Sequence, residues 1–172
     1  CYLGKNEFYK NIPKHVSSLM SPDFIPVDIS EMISSRFIQQ PTDRKFISKI
    51  IYYGKLLFFT NLISGIEPTK ALGYDKTKED WVKENEKEIW EYFVQNEILF
   101  STKSALDYRF LANAPFSKFG LTIDFESPPM IGRYIGYKIV KSYYEKNIVT
   151  VVNLLKQDNY KLYLMSNYKP KK

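Results

Sequence analysis

Residues 43–62, DRKFISKIIYYGKLLFFTNL, constrain this chain more than any other stretch. Phe46, Ile47, Ile50, Ile51, Gly54, Leu57 and Phe58 recur at helical spacing, and Tyr52, Leu56 and Phe59 carry apolar surface around the rest of the cylinder. A helix that is apolar almost all round has no side to show to water, so it must be central, with the other elements wrapped about it. Thr42 is its expected cap, and Asp43 in the first turn suits the positive end of the helix dipole.

The remaining periodicity also predicts helices. One covers about 27–37 behind Ser21 and Pro22, and a second covers about 78–97, opened by a Thr77–Asp80 capping pair. Others cover about 103–112 and 130–146, then 151–157 capped by Thr150, then 158–165. A brief extended piece fits Leu121 to Phe125, but no stretch alternates as a sheet requires. The expected class is therefore mainly α: one compact helical domain over residues 1–172, with about six to eight helices around the buried apolar one. A chain of 172 residues is long enough to bury such a core.

In the helix of 130–146, Gly132 and Gly136 lie four residues apart within the face made by Ile131, Ile135, Ile139, Val140 and Tyr143. Each interior glycine costs about 1 kcal/mol of helix stability relative to alanine. Small residues at this spacing let another helix come close, and close backbone packing is the expected return. Arg133 projects at the flank of that face. It is expected to pair with a carboxylate on a facing helix, Glu86 or Asp107, and anion binding near the helix start is the alternative. Asn85 falls mid-stripe between Trp81 and Ile89, where a buried amide needs a partner; a hydrogen bond to a neighbouring helix is expected, with a ligand contact as the alternative.

The residue inventory excludes much chemistry. His15 is the single histidine and Cys1 the single cysteine, so zinc hydrolase, Ser-His-Asp and Cys-His machinery lack their parts. No phosphate-cradling glycine loop occurs. No metal site and no cofactor is expected. Glu84, Glu86 and Glu88 form the densest carboxylate group, with Glu86 at the edge of the apolar stripe. No run of 18 apolar residues is present, so no membrane span is expected. The formal charge of +6 permits attraction to anionic partners. Only the KPKK tail clusters lysines, and no nucleic-acid motif accompanies them, so no nucleic-acid partner is expected.

Seven segments carry a resemblance in order: YLGKNEFY, IPVDISEMISSRF, IIYYGKLLFF, LGYDKTKEDWVKENEKEIWEYFVQNEILFSTKS, RFLANAPFSKFG, ESPPMIGRYIGYKIVKSYYEKN and MSNYKPKK. Together they resemble the GldB family of gliding-motility lipoproteins of Bacteroidetes, over nearly the whole chain. The resemblance implies a mainly helical protein of the cell envelope, facing the periplasm, held by a lipid on an N-terminal cysteine, and tied to gliding and its secretion machinery. It assigns no enzymatic activity. Near residue 128 the family usually runs Ser-Pro-Gly-Arg-Ile-Gly; here Pro129 and Met130 replace the Gly-Arg, and Lys138 stands where glutamine is common. The family's chains are longer, so the chain is expected to be a fragment, with Cys1 an internal residue rather than the lipid-bearing one. The layout is also distantly similar to zinc-peptidase-like helical domains, with tyrosines and leucines in IIYYGKLLFF where metal ligands would sit.

Three functions follow as expectations. The first is a non-catalytic envelope protein that binds partners in a motility or secretion assembly, through candidates Asn85, Glu86, Arg109, Gly132, Arg133 and Gly136. The second is a metal-independent hydrolase using Glu86 or another buried carboxylate. The third is a carrier of small molecules or peptides that uses the aromatic core as a pocket.

Overall fold

The computed structural model describes residues 6, 7 and 10–170, and Cys1 lies outside them. Among the described residues there is no strand, and ten α-helices are present: α1 (Lys14–Ser17), α2 (Ile25–Ser34), α3 (Phe46–Ser64), α4 (Pro68–Ala71), α5 (Lys76–Glu84), α6 (Glu86–Gln95), α7 (Ala105–Phe110), α8 (Ile131–Lys146), α9 (Val151–Lys156) and α10 (Asn159–Ser166). Short 3₁₀ turns cover Pro22–Phe24 and Thr122–Glu126, the latter where an extended piece was expected. The count exceeds six to eight for two reasons. The expected helix of 78–97 bends at Asn85 into α5 and α6, and the one-turn helices α1 and α4 are too short to leave a periodic signal.

Helix α3 is the centre, packed against α2, α4, α8 and α10. Its 19 residues are long and apolar enough to cross a bilayer, although Lys49 and Lys55 break every longer apolar run within it. Two-thirds of that window (67%) is buried inside the fold, so here the helix is a core element. Thr42 is not its cap. The Asp43 carboxylate instead accepts from the Lys45 amide at 3.0 Å and from the Ser48 hydroxyl at 3.0 Å. The next orphan amides, of Phe46 and Ile47, donate to the carbonyls of Ser101 and Leu99. Gly65, in the left-handed region at φ 69°, ends the helix. Likewise the cap of α5 is Asp75, which accepts from the Lys78 amide at 2.9 Å, and not the Thr77–Asp80 pair. Thr150 caps α9 and Asp158 caps α10.

The α3–α8 contact is made main chain to main chain. A Cβ placed on Gly136 would stand 1.8 Å from the Ile50 carbonyl oxygen, and one on Gly54 would stand 2.2 Å from the Gly136 carbonyl carbon. Gly132 meets α7 and the chain just after it: a Cβ there would stand 3.0 Å from the Phe110 carbonyl oxygen and 2.9 Å from Leu111 Cδ2. Around this seam Phe46, Phe93 and Phe110 interlock edge to face, with centroids 5.6 Å apart for Phe46–Phe93 and 5.1 Å for Phe93–Phe110.

Gly136→Ala therefore forces two backbones apart. Against a gain of about 1 kcal/mol in helix propensity, the expected net loss is about 3 kcal/mol or more, by the overpacking of a rigid site. Gly132→Ala, whose nearest neighbour is a leucine side-chain end, loses less. Urea unfolding of the two variants beside the parent measures both, and equal midpoints for Gly136→Ala and the parent would refute the seam.

Candidate functional site

The segment joining α2 to α3, the outer edge of α3, the helix α7 and the start of α8 enclose an open cleft of about 760 Å³. Arg44 comes from the segment just before α3 and Lys49 from the first turn of that helix, Asp107 and Tyr108 from α7, and Arg133 from α8, with Tyr52 and Tyr53 on the α3 wall. Arg133 is held on two sides. Its Nε donates to the Leu111 carbonyl at 2.8 Å, and the guanidinium lies over the Tyr53 ring, 4.2 Å from the centroid. Tyr52 accepts from the Gln40 side-chain amide at 2.6 Å. Burial, then the neighbouring Tyr53 and Glu31, push the Tyr52 phenol above its usual range, so it stays a donor. Lys49 sits 2.6 Å from the Asp107 carboxylate.

That last pair corrects the expected role of Arg133. Asp107 is engaged by Lys49, and Glu86 by Lys138 at 2.9 Å, so neither is the arginine's partner. The carboxylate whose titration Arg133 does influence is Glu31 on α2; desolvation raises Glu31 and the nearby guanidinium partly offsets that.

The other sequence candidates do not gather at the cleft. Glu86, at the start of α6, is buried and also accepts from the Tyr168 hydroxyl at 2.8 Å, which ties the chain end to α6 and α8. Asn85 is half-buried at the bend, and its amide donates to the Trp81 carbonyl of α5 at 2.8 Å, not to a neighbouring helix. Arg109 secures the 117–120 loop: Nε donates to the Lys118 carbonyl at 2.6 Å, and Nη2 to the Phe119 carbonyl and the Tyr92 hydroxyl. It lines a separate groove with Phe100, Lys103 and Tyr163. Gly132 and Gly136 set helix spacing. Among the described residues no three His, Cys, Asp or Glu side chains group as metal ligands would.

The family model described as gliding motility protein GldB, a lipoprotein family, matches residues 1–170. The chain belongs to the GldB family. No curated protein and no solved structure matches it. Membership ties the chain to gliding motility and to a motility assembly, and the family's lipoprotein name suggests a membrane-anchored envelope protein.

This GldB-family chain also buries an amine that was not among the sequence candidates. Lys55 is 1% exposed in the middle of α3, and its Nζ donates to the carbonyls of Leu155, at 3.2 Å, and Gln157, at 2.5 Å, at the end of α9. The signal was present: a lysine inside IIYYGKLLFF faces apolar neighbours on every side. Desolvation lowers its pKa from 10.5 to about 8, only partly offset by Asp158. Between those values the unfolded chain holds a proton that the folded chain does not, so stability rises with pH. Above about 10 the sign reverses, because burial raises Tyr74, Tyr134, Tyr137 and Tyr168, and the unfolded chain loses phenolic protons that the folded chain keeps.

Stability measured by urea unfolding should climb by up to about 3 kcal/mol from pH 8 toward pH 10 and fall beyond it. In Lys55→Met the climb should vanish while the fall remains. A parent profile that is flat over this range would refute the burial of the amine.

Proposed function

We propose that this chain is a non-catalytic, periplasm-facing component of a gliding-motility assembly and acts by holding a protein partner on helix α2. The observation that carries this reading is the orientation of α2. Val27, Ser30 and Ser34 are its buried residues. The Ser30 hydroxyl donates to the Pro26 carbonyl at 2.6 Å and the Ser34 hydroxyl to the Glu31 carbonyl at 3.1 Å, so both serines lie against α3 with their polar atoms satisfied within α2. The apolar residues face the other way. Ile25, Ile29, Met32 and Ile33, with Phe37 just beyond, are between 36% and 58% exposed and follow helical spacing. A helix ordinarily turns this stripe to the core.

The stripe amounts to a few hundred Å² of apolar surface, the size of patch that marks an interaction site. It falls short of the roughly 800 Å² per partner of a stable interface, which favours a larger heterologous partner over a second copy meeting helix to helix. Exposed Asp23 and Asp28 rim its first half, whereas helices that lie on lipid carry Lys and Arg there. The fitting occupant is an apolar groove with a basic rim on another envelope protein. The hydrolase reading loses Glu86, which is taken up by Tyr168 and Lys138, and would have to rest on Glu31, whose carboxyl is raised by burial and partly lowered again by Arg133. The carrier reading needs a pocket where the aromatic core instead interlocks ring on ring.

Met32→Lys and Ile29→Lys sit on an exposed face and should leave stability within about 0.5 kcal/mol of the parent. In native cells carrying either change, colony spreading should be lost while the protein accumulates normally. Val152→Lys, on an exposed position of α9, should spread as the parent does. Normal spreading by both α2 variants would sink the proposal, as would α2-dependent dimerisation in sedimentation or α2-dependent vesicle flotation.

A further inference from the structure

The cleft over α3 is lined by three cationic side chains, Arg44, Lys49 and Arg133, and by two carboxylates, Asp43 and Asp107, while Glu31 of α2 acts on Arg133 through its field without forming an ion pair. Arg133 and Arg44 both line it, and among the described residues neither forms an ion pair with a carboxylate. Of the acidic residues on the same wall, Asp43 accepts from the Lys45 amide and the Ser48 hydroxyl, and Asp107 meets Lys49 through Oδ2 while its buried Oδ1 has no hydrogen-bond partner among the described residues. Arg133 is also immobilised. A guanidinium fixed at Nε by a carbonyl and at one face by a tyrosine ring keeps its terminal amino edge for something else. Such an edge matches two oxygens of a carboxylate or phosphate, and because the side chain is already ordered, little entropy is lost on contact.

We propose that this cleft is a recognition site for an oxyanion, in which Arg133 takes two oxygens of a ligand's carboxylate or phosphate side by side and Arg44 adds a second positive charge at the mouth. Tyr52 supplies a phenolic donor, and the rings of Tyr53 and Tyr108 with Leu111 give the ligand's adjoining part an apolar wall. The volume, about 760 Å³, accepts more than a bare ion. The ligand is therefore a molecule with an anionic end and an apolar neighbour, of which a free peptide C-terminus and a phosphate-bearing group are the two sources. The site stands apart from the α2 surface and does not depend on it.

Titration calorimetry with three probes tests the site: acetyl-alanyl-tyrosyl-alanine with a free carboxylate, the same peptide with an amidated end, and inorganic phosphate. The free-acid peptide, phosphate or both should bind, and amidation should weaken the peptide about tenfold or more, as loss of a charge-assisted pair does. Binding by the acid peptide alone identifies a carboxylate source, and binding by phosphate alone identifies a phosphate source. Arg133→Lys keeps the charge but not the fork and should lose about tenfold or more for whichever probe binds, whereas Arg44→Ser should lose less. If Arg133→Lys unfolds, the amidation comparison on the parent protein and the Arg44→Ser variant still decide. Failure of the acid peptide and phosphate to bind at about 10 mM, equal binding of acid and amide with none by phosphate, or equal affinities of the parent and a folded Arg133→Lys would overturn the proposal.

Discussion

Gly54 of α3 and Gly136 of α8 let two main chains touch where side chains usually hold helices about 8–10 Å apart. That contact sets more than a distance. Because each glycine faces backbone of the other helix, a shift of α8 by one residue would drive Tyr137 or Ile135 into α3, so the register is fixed to the residue. Arg133 lies nearly one turn before Gly136, and Tyr53 lies one residue before Gly54. The stacking of guanidinium on phenol follows from the same register. Gly132 extends the seam to the end of α7, where the Leu111 carbonyl receives the Arg133 Nε. One wall of the cleft is thus a consequence of helix packing, and the site inherits the rigidity of the core.

What the sequence could reveal follows from the range of the forces involved. The α3 helix was legible because its apolar surface closes around the cylinder, and burial depends on composition and period alone. The glycine pair was legible as a packing device for the same reason. Its partner was not: Gly54 sits in the apolar stripe, yet nothing in one helix's sequence says which residue of another it will meet. Arg133 shows the limit. Its position on α8 could be read, but Lys49 and Lys138 took the two carboxylates expected to pair with it, and choices among charges are settled by three-dimensional distance. The expected cap at Thr77 misses by two residues, because Asp75 lies close by and a carboxylate is the better acceptor for a positive helix end. The one at Thr42 misses because α3 begins at Phe46 and its first amides are met by the carbonyls of Ser101 and Leu99, a contact no local sequence reveals.

Helix α2 departs from expectation in another way. Its apolar residues are legible as a helix but not as a surface, since periodicity gives the existence of an apolar face and not its direction. Two serines that bond to their own helix can lie against α3 at little cost, which frees the isoleucines to face outward. A sequence that spends its most apolar side on solvent is under a constraint other than its own stability.

The buried groups divide along the same line. Lys55 lies in the densest part of the molecule, yet its ammonium reaches the carbonyl end of α9, where the helix dipole and two acceptors favour a cation. Glu86 is likewise matched, by a phenol and an ammonium. Both are polar locks that hold peripheral helices and the chain end onto α3 and α8. Arg133 is held just as firmly, but through its Nε and its ring face, the two parts of a guanidinium that leave its paired amino groups uncommitted. A lock satisfies a charge with charge or with several acceptors in contact, whereas this arrangement fixes the orientation, leaves the paired amino groups without a hydrogen-bonded acceptor, and meets a carboxylate, Glu31, only through its field. That difference between a charge that is neutralised and one that is only aimed separates the cleft from the other polar features of the fold.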